Sequence, residues 1–143
     1  MSRIIVAGDI ATDVLAVYSG GLAYGTDTMA RIHLTAGGSA ANTAAWLAAT
    51  GQHVTLAGVV GADSAGAQRV AELASSGVDC AVRVAPGTPT GCVVVLSEPA
   101  ERTMLCDRGA NALLSTSDID GVLESRRDGV HLHLSGYVFF DGG

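Results

Sequence analysis

Gly37-Gly38-Ser39-Ala40-Ala41-Asn42-Thr43-Ala44 runs directly into Ala45-Trp46-Leu47-Ala48-Ala49-Thr50 and stops at Gly51. Alanine has the best helix propensity, and Gly51 suits the left-handed position that ends a helix. The stretch therefore predicts a helix entered through a diglycine. Glycines at that entry let a ligand approach the backbone, while the first helical amides point outward as donors. Asn42, one turn in, offers an acceptor and two donors. Such an entry can grip a phosphate or a polyhydroxyl compound. A tight turn requiring positive φ accounts for the same residues, and local chemistry alone leaves both readings open. Trp46 reads as a packing residue of this helix rather than as a stacking platform.

Upstream, residues 3 to 8 form a β-branched run ending at Gly8-Asp9, a buried strand opening into a loop. Carboxylates at such a strand end sit at the usual ligand crevice of an open α/β sheet. Asp9 can share that crevice or cap the loop. Between Val14 and Thr35, Gly20-Gly21 and Gly25 interrupt short alternating pieces, which predicts an antiparallel excursion from the main sheet. Downstream, a strand from Val54 to Val60 precedes Asp63, a good N-cap for a helix reaching Ser75-Ser76 with Gly77 as terminator. Strand, excursion, helix, strand and helix make the rhythm of βαβ crossovers on a parallel sheet. Residues 80 to 84, 91 to 96 and 102 to 107 read as a hairpin-rich patch with turns at Pro86-Gly87 and Glu98-Pro99-Ala100-Glu101. Asn111 to Leu114 is a short turn or helix, Ser117 to Ser125 a capped helix, and Val130 to Ser135 a strand. The ending, Gly136-Tyr137-Val138-Phe139-Phe140-Asp141-Gly142-Gly143, reads as the middle of a βαβ unit.

The 143 residues are 48% hydrophobic and 15% charged, a globular composition sufficient for one compact domain. Acidic residues number 14 against 8 basic ones, and the net charge of −6 argues against a nucleic-acid partner. Every basic residue is arginine, which excludes Walker A phosphate binding, Schiff-base chemistry and a lysine general base within these residues. Cys80, Cys92 and Cys106 lack CxxC spacing and suit reduced, buried thiols. The start is too short in apolar residues for a signal peptide, and no stretch approaches the roughly 20 residues of a membrane helix. The expected location is the cytoplasm, without a membrane partner. His131 and His133 share one face of a strand but have no adjacent third ligand, so a structural role is expected rather than a metal site. Arg126-Arg127 is too short a cluster for a polyanion site.

The diglycine stretch, with Gly51 and Gly61 at their spacings, resembles the first signature of the ribokinase-like (PfkB) carbohydrate kinases at every specified position. Gly8-Asp9-Ile10-Ala11-Thr12-Asp13, Gly61-Ala62-Asp63-Ser64-Ala65-Gly66, Thr90-Gly91, Glu101-Arg102-Thr103-Met104 and Gly109-Ala110-Asn111-Ala112 follow in the family's order. The agreement covers residue 3 to about residue 137. The resemblance implies an α/β fold with a mostly parallel sheet flanked by helices and a small β lid. Residues 1–143 would form the N-terminal part, with lid strands within about 14–35 and 80–107. It implies ATP-dependent phosphorylation of a hydroxyl on a sugar or nucleoside, with Mg²⁺. Asp13 matches the family's sugar-binding aspartate, Gly37 and Gly38 the backbone lining the sugar, and Asn42 the asparagine that hydrogen-bonds it. Arg108 resembles an arginine placed near the substrate in fructokinase-like and ketodeoxygluconate-kinase-like members, where its fork can bind a carboxylate or several hydroxyls; a surface arginine after an edge strand is the plain alternative. The lid often makes a dimer contact in the family, so a homodimer is a further implication.

Ser39 and Ala11 stand where members acting on ribose carry a lysine and an asparagine, which points away from ribose. The second family signature, holding the anion hole and the aspartate general base, has no match here, and neither have the nucleotide loops. The resemblance is to an N-terminal half. The expectation is that these residues supply the sugar site and lid of a kinase, and that alone they are inactive. A non-catalytic sugar-binding or dimerisation module is the alternative expectation.

Overall fold

The computed structural model describes residues 3–125 and 129–139. Arg126-Arg127 and the terminal residues 140–143 lie outside the described residues. The opening run forms β1 (Arg3–Ala7), with Ile5, Val6 and Ala7 fully buried. It is followed by β2 (Ala11–Val17), β3 (Arg31–Gly37), α1 (Ser39–Ala49), β4 (Val54–Gly61), α2 (Ser64–Ser75) and β5 (Asp79–Ala85). Then come β6 (Gly91–Ser97), β7 (Arg102–Asp107), a 3-10 turn (Gly109–Leu113), α3 (Thr116–Glu124), β8 (Val130–Leu134) and a second 3-10 turn (Gly136–Phe139).

β5, β4, β1 and β8 form an all-parallel sheet in that order. β4 is buried along its whole length, as expected of a strand covered on both faces. On one face, Ala40, Ala41 and Ala44 let α1 sit close against Val6, Val54 and Leu56, and Leu73 of α2 joins the same cluster. On the other face Val122 of α3 packs against Ile5, Ala7 and Ala57. Asp63 caps α2 as its position predicts, its Oδ1 accepting from the Gly66 amide at 2.8 Å. α3 is tied to β5 by Arg83, whose Nε donates to Asp118 Oδ1 at 2.6 Å. That guanidinium, with the Ser115 hydroxyl and amide, holds the Asp118 carboxyl far below the usual carboxylate range.

A second sheet has the order β3-β2-β6-β7. β2 and β3 pair antiparallel, as do β6 and β7, but the two hairpins meet through parallel β2 and β6. Both central strands leave from the same point of the main body and both outer strands return to it, which makes the central pair run the same way. Residues 80 to 84, read from sequence as part of the hairpin patch, belong instead to β5 in the main sheet, with Cys80 opposite Leu56. The α2 crossover carries the chain back parallel to β4, and the few residues after Ala85 are a passage between sheets rather than a hairpin turn. Cys80 and Cys92 are half-buried, whereas Cys106, expected inside, is exposed because β7 is an edge strand.

The chain passes between the two sheets four times: β1 to β2, β3 to α1, β5 to β6, and β7 to the first 3-10 turn. These passages are bound to one another. The buried Asn111 amide accepts from the Ile10 N–H at 2.8 Å through Oδ1 and donates to the Ile10 carbonyl at 2.9 Å through Nδ2. The Ala110 amide donates to the Pro89 carbonyl at 2.8 Å, and the Ala41 amide to the Asp9 carbonyl at 3.2 Å. Thr90 donates its hydroxyl and amide to the two Asp63 carboxylate oxygens, at 2.6 and 2.8 Å, and accepts from the Gly61 amide at 3.0 Å. These bonds hold the Asp63 pKa below its ordinary value, the Thr90 hydroxyl contributing most.

Because Asn111→Ala strands a buried N–H and a buried carbonyl together, we expect a loss of about 3 kcal/mol of unfolding free energy in urea titrations. A loss under about 1 kcal/mol would show that the clasp does not hold the passages together.

Candidate acceptor site

The passage points converge beside the C-terminal end of β1, where the loop after an open parallel sheet leaves room for a ligand. Asp9 leaves β1 there. Its Oδ2 accepts from the Ser39 amide at 2.7 Å and its Oδ1 from the Ser135 hydroxyl at 2.9 Å. Asp9 was open to capping its own loop or sharing the crevice; its carboxylate instead satisfies an early amide of α1, whose entry residue Gly38 has no side chain to do so.

Asp13 lies on β2, two register positions from the Ala11–Gly37 pair. Its carboxylate rests on Gly37, where any Cβ would overlap it. Gly38 has φ 98° and comes so close to the Asp9 carbonyl that a side chain would be excluded there too. The diglycine is thus required twice over, by a carboxylate above one residue and by a left-handed backbone at the next. The Asn42 amide nitrogen donates to the Gly38 carbonyl at 2.9 Å, fixing Asn42 one turn above the diglycine. Neither the Asp13 carboxylate nor the Asn42 side chain hydrogen-bonds to any of the described residues. Burial, with the nearby Asp9 charge as a lesser cause, pushes the Asp13 carboxyl above its ordinary value.

Arg108 lies on the passage from β7, and its Nη2 donates to the Tyr137 carbonyl at 3.1 Å. It is bound to the segment that follows β8, and its own carbonyl accepts from the Asn111 amide at 3.0 Å. The structure therefore brings Asp13, Gly37, Gly38 and Asn42 together directly and ties Arg108 to Tyr137 and, through its carbonyl, to Asn111 of the junction. Trp46 is 76% exposed and is no part of this core. Its side of α1 is opposite the alanine face, so it shares an open groove with Ser39, Asn42 and Thr43. His131 and His133 stand opposite Ile4 and Val6. Among the described residues no group of three His, Cys, Asp or Glu side chains could hold a metal ion. Sequence reasoning did not single out Arg69, which is 6% exposed. The signal was available in its spacing from Gly66 and Leu73, three and four residues away on the buried face of α2.

A family model described as pfkB family carbohydrate kinase matches residues 1–142, and the chain belongs to that family. The ribokinase of Giardia lamblia superposes with a TM-score of 0.83 at 19% identity, over 92% of this chain and 44% of that one. The fructokinase of Halothermothrix orenii gives 0.81 at 22% identity, over 98% of this chain and 48% of that one. A ribokinase from Cryptococcus neoformans var. grubii serotype A, in complex with ADP, gives 0.72 at 27% identity over 95% and 41%. The fold is ribokinase-like α/β, and the chain spans less than half the length of each of these structures. No curated protein sequence matches it. Among the described residues no helix is long and apolar enough to cross a membrane.

A raised carboxylate pKa means that ionising Asp13 costs the folded state more than the unfolded one, so its contribution opposes stability as pH rises through the carboxylate range. Asp13→Asn is expected to melt above the parent protein at pH 7, with the difference shrinking as pH falls below about 4. A pH-independent difference between the two melting curves would contradict this.

Proposed function

We propose that the chain carries the acceptor-binding part of an ATP-dependent kinase acting on a hydroxyl of a sugar or nucleoside. The observation that carries this reading is the Asp13 carboxylate. It is partly desolvated, it rests on a glycine, and it lacks a donor among the described residues. Such a group is best satisfied by hydroxyl donors, and two neighbouring hydroxyls of a polyol match its two oxygens. Asn42 offers both donor and acceptor one helical turn from the diglycine, whose bare backbone allows a ring to approach. Arg108 adds a guanidinium for acidic or hydroxyl-rich acceptors.

Bound ATP with Mg²⁺ would supply the γ-phosphoryl group. With no group of three metal-ligating side chains among the described residues, no residue here is assigned to Mg²⁺, and the residues' own work is to bind, orient and shield the acceptor. The second sheet is suited to shielding, since it leaves the body at the passages beside Asp13 and can act as a lid over the site. Its opposite face carries Val14, Ile32, Leu34, Val94 and Leu105 in register, with Ile32, Leu34 and Leu105 more than half exposed. An apolar face of this kind favours cover by a second copy, a homodimer through the lid.

In an enzyme containing this chain, Asp13→Ala is expected to lower kcat/KM for the sugar by about 10²–10³-fold, with KM for ATP nearly unchanged. An equal loss for both substrates would make Asp13 structural. Arg108→Ala is expected to cost acidic sugars about tenfold more than neutral ones across a substrate panel. A uniform loss would remove Arg108 from the acceptor site.

A further inference from the structure

We propose that the cavity between α2, α1 and the base of the second sheet is a site for a small oxyanion, a carboxylate or phosphate group held by the buried guanidinium of Arg69. The cavity has a volume of about 200 Å³ and is walled by Ala36 and Gly37 at the end of β3, Asn42 of α1, and Arg69, Glu72 and Leu73 of α2.

Arg69 enters it from the inward face of α2. Its Nη2 donates to Glu72 Oε1 at 2.9 Å, but its Nε and Nη1 are buried without any partner. The third such orphan among the described residues, Thr12 Oγ1, stands on β2 directly opposite Ala36. A buried guanidinium with two unanswered nitrogens is costly to the folded protein and is relieved by an acceptor that reaches it. Glu72 does not fill that role. Its side chain is 44% exposed, and the oxygen that meets Arg69 also accepts from Gln68 Nε2 at 3.0 Å. Arg69 lines a space large enough for a phosphate or the acidic end of a small molecule, and guanidinium donors suit both.

Gly37 and Asn42 border this cavity and the acceptor site alike. The oxyanion can therefore come from two sources, a free anion or the acidic group of the acceptor. Thermal unfolding of the intact protein, at constant ionic strength with chloride replaced by sodium phosphate or by sodium gluconate, separates them. A saturable rise in Tm of about 3 °C at tenfold excess over Kd is expected with at least one of the two. Phosphate acting alone indicates a free anion, and gluconate without phosphate indicates an acidic acceptor.

Arg69→Met is expected to melt at or above the parent in chloride, because it removes unpaired buried donors, and to lose the saturable rise. Glu72→Gln, which removes the competing negative charge, is expected to lower the half-saturating concentration about threefold and keeps the test decisive if Arg69→Met does not fold. No saturable rise with either anion, an undiminished rise in Arg69→Met, or an unchanged midpoint in Glu72→Gln would overturn the proposal. The phosphate measurement uses neither sugar nor nucleotide, so its failure is distinct from failure of the kinase reading.

Discussion

Two hydrogen bonds between one buried side chain and one buried backbone unit, Asn111 on Ile10, lie at the point through which the chain passes four times. A parallel sheet with helices on both faces is self-sufficient, and so is a pair of hairpins that meet along their central strands. The passages, with α2 lying against the base of β2, fix their mutual placement. The Asn111 clasp and the Asp63–Thr90 pair answer backbone polar groups that would otherwise be buried unpaired there, beside the buried apolar Ile10, Ala85 and Ala110.

The same junction sets the electrostatics of the site. Asp9 is answered twice, by an α1 amide and by the Ser135 hydroxyl, whereas Asp13 is answered by none of the described residues. Two carboxylates close together in a partly dry place raise the cost of ionisation, and the one without donors bears it. That cost is retained in the folded protein, and hydroxyl donors of a bound ligand would offset it. The site is therefore destabilising when empty, as expected where binding rather than folding has shaped the choice of residue.

Much of this was legible in local chemistry. The alanine-rich helix behind the diglycine and the Asp63 cap are encoded within short stretches, and the parallel rhythm of the main sheet and the hairpins in the succession of such stretches. The role of Asp9 at the start of α1 was not legible, because its partners, Ser39 and Ser135, are 30 and 126 residues away. β5 was misplaced for a related reason: a half-buried edge strand has a weak periodic signal, and its six-residue spacing to β6 imitates a hairpin. The parallel contact of β2 with β6 is a consequence of where both strands start, which no local pattern contains. Trp46 and Cys106 were expected inside because aromatic and thiol side chains usually are, yet both fall on sides of their elements that the described fold leaves open. Asn111 and Thr90 appear in the sequence only as parts of motifs. Their bonding shows that the motifs hold the junction.

The central claim is that the clasped junction presents Asp13, the diglycine and Asn42 as one acceptor surface. A crystal structure of the protein with a sugar acceptor bound tests it most directly. The account predicts ring hydroxyls within about 3 Å of both Asp13 carboxylate oxygens and of the Asn42 amide, with the ring lying over Gly37 and Gly38. A sugar bound elsewhere, or one that leaves the Asp13 carboxylate without a hydroxyl partner, would contradict it.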